Sequence, residues 1–268
     1  MEIGHIEVAG DRLEVARIAP DRNARPLVFL HEGLGSVAAW RDFPQVLCDA
    51  LDAPGLVYSR RGYGRSAPLA GPRGADYLHR EAQVVLPALL RALDLHAPFL
   101  LGHSDGGSIA LLAAAQPPGD VAPAAIAVLA PHVFVEEVTL LGVRAARLAW
   151  EAGASGRLQP RLARWHDDPA GAFFGWNDAW LAPTFRDWNI EAELDQVRCP
   201  VLAIQGVDDR YGTLAQLDRI ARAVRGPCRL LRLAGCGHAP HDEAPQVVIE
   251  AVAALYGEHA DRSAVCDV

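Results

Sequence analysis

Short runs of apolar residues recur along this chain, and most of them do not alternate with polar ones. Leu27-Val28-Phe29-Leu30, Gly55-Leu56-Val57-Tyr58, Ala97-Pro98-Phe99-Leu100-Leu101, Ala125-Ile126-Ala127-Val128-Leu129 and Val201-Leu202-Ala203-Ile204 are of this kind, and Leu230-Leu231-Arg232-Leu233 reads as the last strand. A strand that is apolar throughout is covered on both faces, which is the signature of a parallel sheet between helices. Longer helical patterns fall between the runs, around Trp40 to Leu51, Tyr77 to Leu93, Gly107 to Ala115 and Pro245 to Tyr256. Only the start differs: Ile6 to Ala9 and Leu13 to Ile18 flank Gly10-Asp11 and predict a hairpin. Strand–helix alternation predicts an α/β fold with a doubly wound, mostly parallel sheet of about eight strands, its working loops at the carboxyl ends of the strands.

The rhythm breaks between about Pro131 and Ile190. That stretch carries amphipathic helical segments, no convincing strand, and five of the six tryptophans together with Phe173, Phe174 and Phe185. Some of these aromatics must form the segment's own core. An aromatic helical insertion before the late strands is also well placed to roof a site and supply an apolar pocket. The expected division is a core of 1–131 and 191–257, a helical cap (lid) of 132–190, and a flexible tail of 258–268.

Composition narrows the function classes. Hydrophobic content of 51% and charged content of 22% over 268 residues fit one large enzyme-sized domain. A net charge of −8 with scattered basic residues argues against nucleic acid as a partner. No apolar run is long enough to span a bilayer, and Met1-Glu2-Ile3-Gly4-His5 does not read as a signal peptide, so a cytoplasmic location is expected. The five cysteines show no zinc spacing and read as free thiols. All 25 basic residues are arginine; without a lysine, Schiff-base chemistry, Ser-Lys dyads and P-loop ATPases are excluded.

The densest chemical signal is Gly102-His103-Ser104-Asp105-Gly106, between an apolar run and a small-residue helix. By itself G-x-S-x-G is often an ordinary loop. Between a strand and a helix it becomes a sharp turn that presents Ser104 as a nucleophile, with glycines where a Cβ would clash. Serine needs a base. His238 stands in Gly235-Cys236-Gly237-His238, after the last run, and His241 is its only close rival; His31 and His103 read as supporting residues. An orienting carboxylate is expected in Gln205-Gly206-Val207-Asp208-Asp209-Arg210, where one aspartate meets the histidine and the other hydrogen-bonds the turn. An oxyanion site needs two backbone N–H groups, one from Asp105 at a helix N-terminus and one from the loop His31-Glu32-Gly33-Leu34-Gly35-Ser36.

These pieces, with Arg61-Gly62-Tyr63-Gly64-Arg65-Ser66, resemble the α/β-hydrolase superfamily along nearly the whole chain. The resemblance implies the order Ser104, Asp209, His238 and selects Asp209 over Asp208. Two positions depart from the pattern. Glu32 stands where the family has glycine, which leaves Glu32, Gly33 or Leu34 as the second amide, alignment favouring Gly33. Arg60 stands just before Arg61-Gly62, where an aspartate is common. Glu32 is expected to pair with a nearby arginine, the alternative being a contact to a polar or cationic substrate group. Glu32, His103, Trp165, Phe173, Phe174, Trp176 and Trp180 are the pocket candidates.

The implied activity is hydrolysis of an ester, thioester or lactone through an acyl-enzyme, similar to esterases. The runner-up is C–C cleavage of a vinylogous diketone, as in meta-cleavage product hydrolases; a ligand receptor on the same fold is more remote. Epoxide hydrolase and dehalogenase chemistry would place an aspartate at position 104. No cofactor or metal is implied. The expected partner is a small-molecule substrate, not nucleic acid or membrane, and the sequence is compatible with a homodimer.

Overall fold

The computed structural model describes residues 1–259. The opening hairpin is β1 (Glu2–Val8) and β2 (Asp11–Ile18), paired antiparallel with Val8 opposite Asp11. The buried strands are β3 (Leu27–Leu30), β4 (Gly55–Tyr58), β5 (Phe99–His103), β6 (Ala125–Leu129) and β7 (Val201–Gly206), and the edge strand β8 (Cys228–Leu233) is buried only at Leu233. All belong to one eight-stranded sheet in the order β1-β2-β4-β3-β5-β6-β7-β8. The β1–β2 and β2–β4 pairs are antiparallel, and every pair from β4 to β8 is parallel.

The unbroken apolar runs are explained by what lies on either side of the sheet. Val28, Leu30, Leu100, Ile126, Val128, Val201 and Ala203 point into one core, shared with α4 (Asp105–Ala115). Leu27, Phe29, Phe99, Leu101, Ala127, Leu202 and Ile204 point into the other, closed by α1 (Phe43–Ala50) and α11 (Pro245–His259). Successive side chains alternate faces, so a strand buried on both sides has no polar position to show. The terminal helix extends through Glu258 and His259, so the expected tail starts two residues too early; its remainder, 260–268, lies outside the described residues.

The helix expected over Tyr77 to Leu93 has a break in its register. It comprises α2 (Tyr77–Arg80), a π-helical turn (Glu81–Val85) and α3 (Leu86–Ala92). Pro87 has no N–H to donate, and its ring would crowd a carbonyl in the preceding turn, so a widened turn just before it relieves both problems. Between β6 and β7 lie α5 (Glu137–Glu151), α6 (Leu158–Leu162), α7 (Pro169–Leu181) and α8 (Glu191–Leu194). This stretch has no strand among the described residues, only a single bridge between Phe134 and Asn189. After α9 (Ala215–Ala223) and β8 comes the short α10 (Pro240–Glu243).

Register sets the level of the loops. Leu30 pairs with Gly102, His103 with Leu129, and Leu129 with Ile204, so β3, β5, β6 and β7 end together at one edge of the sheet. The loops leaving that edge carry His31 to Ser36, Ser104, His132 and Asp209, and the loop after β8 brings His238.

Candidate active site

Ser104 occupies the turn between β5 and α4 with φ 53° and ψ −116°, a conformation in which a non-glycine residue is strained. Its N–H donates to the Leu129 carbonyl (2.8 Å), which holds the turn onto β6. The flanking glycines are required by space. A Cβ on Gly106 would lie 1.9 Å from the Leu30 carbonyl oxygen, and one on Gly102 would lie 2.1 Å from that of Gly106. Helix, turn and β3 can approach this closely only because both side chains are missing.

Ser104 Oγ lies 3.0 Å from Nε2 of His238, and Nδ1 of the same imidazole lies 2.9 Å from both carboxylate oxygens of Asp209. Asp209 also accepts from the Tyr211 N–H (2.8 Å) and the Gln205 amide (3.1 Å). Burial alone would raise this carboxyl; the His238 hydrogen bond and charge, with the Tyr211 amide, hold it below the usual aspartate value. Asp208 is exposed, and among the described residues its side chain makes no hydrogen bond to the turn, contrary to expectation. Only its backbone N–H is used, donating to the Cys236 carbonyl (2.9 Å) and tying the two loops together. A serine, an imidazole and a buried carboxylate in this order can pass the hydroxyl proton to the ring as the oxygen attacks.

Three further histidines surround His238. His103 donates from Nε2 to the His238 carbonyl (2.6 Å). Burial, then the neighbouring His238, lower its pKa to about 4, so it stays neutral. His132, beyond the end of β6, is 2% exposed, lies 5.8 Å ring to ring from His238, and is lowered to about 3, again chiefly by burial. His241, the rival base, is buried instead between Trp40 (4.8 Å) and Phe43 (5.4 Å). His31 is also buried; its Nε2 accepts the Arg60 N–H (3.0 Å).

The Asp105 side chain does more than face a helix dipole. It is 0% exposed and accepts from the Tyr77 hydroxyl (2.7 Å) and the Trp180 indole N–H (3.2 Å), with the buried Arg60 guanidinium 3.8 Å away. Burial still outweighs these partners and raises its pKa. Trp180 thereby fastens α7 to the first residue of α4.

Among the described residues the expected Glu32–arginine pair does not form. The Glu32 carboxylate accepts from the Leu34 N–H (3.2 Å), and Arg60 donates to the Glu32 backbone carbonyl (2.8 Å). The loop is tight enough for its own amide to reach the carboxylate, while Arg60 is committed beneath it.

A cavity of about 330 Å³ opens over Ser104. Of the pocket candidates, Glu32, His103, Trp165, Trp176 and Trp180 line it. Trp176 covers Gly33, where a Cβ would lie 2.2 Å from the indole. Phe173 and Phe174 do not line it. Phe173 shares a face of α7 with Trp176 and Trp180, but one turn earlier, and stacks on Trp150 of α5 (4.5 Å, 8°). Phe174 turns aside to Trp150 and the Arg147 guanidinium. Sequence reasoning did not single out His132, Tyr211, Thr139 or Arg161, which also line the cavity. Tyr211 lies 4.7 Å from the His238 ring; its place two residues after Asp209 was the signal available. Among the described residues no group of side chains has metal-binding geometry, and no helix is long and apolar enough to cross a membrane.

Comparison with known proteins follows the same loops. Residues 27–251 match the alpha/beta hydrolase family. Serine hydrolase BPHL of Mus musculus is 27% identical over 188 residues, 64% of this chain; the match spans only 58% of that protein's length. The non-heme chloroperoxidase of Burkholderia pyrrocinia is 30% identical over 225 residues, covering 72% of this chain and 78% of that protein. The proline iminopeptidase of Mycobacterium smegmatis is similar in fold, with a TM-score of 0.76 at 19% identity over 96% of this chain and 98% of that one. The family match runs from β3 into α11 and takes in every loop that meets at Ser104, and the chain belongs to the alpha/beta hydrolase family.

Proposed function

We propose that this protein is a serine hydrolase that cleaves a carboxylic ester, thioester or lactone of a small, partly apolar substrate through an acyl-enzyme. One observation carries the reading: the unbroken hydrogen-bonded chain from Ser104 through His238 to the buried Asp209. Ser104 attacks the carbonyl while His238 takes its proton, and Asp209 keeps Nδ1 protonated so that Nε2 is free to accept. His238 then returns the proton to the leaving group and activates the water that releases the acyl group.

The Asp105 and Gly33 amides are assigned to the oxyanion. Asp105 opens α4, where N–H groups and the helix dipole favour negative charge. In the 31–36 loop the Leu34 amide already donates to Glu32, which supports Gly33. The helices from α5 to α7 act in this reading as a cap, since Trp165, Trp176 and Trp180 meet the cavity from their side.

A fluorophosphonate probe tests the nucleophile. The wild type is expected to be labelled stoichiometrically and Ser104→Ala not at all; equal labelling of both, or none of the wild type, refutes the assignment. A screen across acyl esters, thioesters and lactones then ranks substrates. Turnover confined to a yellow vinylogous diketone would move the reading to C–C hydrolysis.

A further inference from the structure

A second cavity, of about 390 Å³, adjoins the one over Ser104 and shares the side chains of Leu34, Arg161 and Tyr211 with it. Gly142, Ala146 and Ala149 give it a small-residue floor along one face of α5. Its other polar side chains are Arg157 and Arg210, and among the described residues no aspartate or glutamate lines it. The three arginines come from separate places, two from the start and end of α6 and one from the loop after β7. None of them has a carboxylate partner among the described residues, although the chain as a whole is acidic at −8. Arg161 is held by its own stack over the Trp165 ring, 5.4 Å from guanidinium to centroid. Three like charges set around one groove focus a positive potential there that suits an anion. The planar guanidinium fork matches a carboxylate better than any other side chain does.

We infer that this groove is a subsite for a carboxylate at the end of the substrate remote from the scissile carbonyl, so that the preferred substrates are half-esters or related ω-carboxyacyl compounds. This rests on Ser104 as the nucleophile. The aromatic cavity over Ser104 takes the apolar part of the acyl chain. Arg161, which lines both cavities, meets the carboxylate first, and Arg157 and Arg210 extend the positive field outward.

The test compares mono-4-nitrophenyl adipate and pimelate with 4-nitrophenyl hexanoate and heptanoate, and with the 6-aminohexanoate ester. The half-esters are expected to be favoured about three- to tenfold in kcat/KM, through KM, and the advantage to shrink with added salt, since the arginines are exposed. The ratio of adipate to hexanoate ester should collapse in Arg157→Glu/Arg210→Glu, with the 6-aminohexanoate ester gaining. Ala149→Leu, which narrows the groove and leaves the charges alone, should penalise pimelate more than adipate. Equal or better turnover of the uncharged esters by the wild type, or an unchanged ratio in the charge-reversed protein, overturns the inference. Calorimetry on Ser104→Ala with monomethyl adipate and methyl hexanoate reads the groove without chemistry: tighter binding of the half-ester supports it, and equal binding refutes it even if fluorophosphonate labelling of wild-type Ser104 succeeds.

Discussion

Asp208 and Asp209 are adjacent in the chain and opposite in surroundings. Asp209 has a side chain 1% exposed and is hydrogen-bonded by His238, Tyr211 and Gln205; its neighbour points into water. Asp209→Asn keeps the shape but lets the amide hold the imidazole in the wrong tautomer, so kcat is expected to fall by roughly 10³- to 10⁴-fold. Asp208→Asn should stay within about threefold, as surface changes usually do. Steady-state rates normalised by fluorophosphonate titration decide it, and a larger loss at position 208 would exchange the two roles. This loop also marks where sequence reading stops. The motif showed that a carboxylate belonged here, but Tyr211 became visible only once its ring stood beside His238. Phe173 and Phe174 failed as pocket candidates for a related reason: composition says that a helix is aromatic, while contact with α5 decides which rings are used up there.

At the scale of elements, the strands were legible because burial on both faces leaves an unbroken apolar run, and β3, β4 and β6 match their predicted limits. The π-helical turn was not legible, because one inserted residue turns the apolar face by about 100° but only a few residues on either side record the change. The coupling of α7 to α4 was equally hidden, since it depends on the single bond from Trp180 to Asp105 across a long sequence separation. Trp180→Phe deletes the donor together with part of a fully buried indole. The lost bond to a buried carboxyl that keeps its Tyr77 partner should account for about 1–2 kcal/mol of the cost in urea unfolding, and the cavity adds to it. Tyr77→Phe should cost a similar amount, and the double variant more than the sum, because the second deletion leaves Asp105 with only the more distant Arg60. Strict additivity would show that the two bonds act independently of each other.

For the whole molecule, the buried histidines set an acid limit. His31, His103, His132 and His241 are all held below the ordinary imidazole value, chiefly by burial. Below about pH 6.5 the unfolded chain binds protons there that the folded chain refuses, so stability falls as pH falls, by about 1.4 kcal/mol per pH unit for each such histidine. For His103 this continues down to its folded pKa of about 4. Asp105 and Glu81, raised by burial, act in the opposite sense over the lower part of that range, but are fewer. Urea midpoints are therefore expected to drop steeply between pH 6.5 and about 4.5. A flat profile would mean that these histidines are protonated in the folded state.

The helices between β6 and β7 leave and rejoin the rest of the protein side by side, where Phe134 bridges Asn189 and the Ile190 N–H donates to the Val133 carbonyl (2.8 Å). Backbones so paired lie only about 5 Å apart, so an insertion here strains neither end and costs little more to close when long than when short. Evolution, or an engineer, can therefore exchange the whole segment as a cassette while Ser104, Asp209 and His238 stay fixed to the edge of the sheet. Grafting the corresponding segment of another family member is the natural way to give this frame a new substrate.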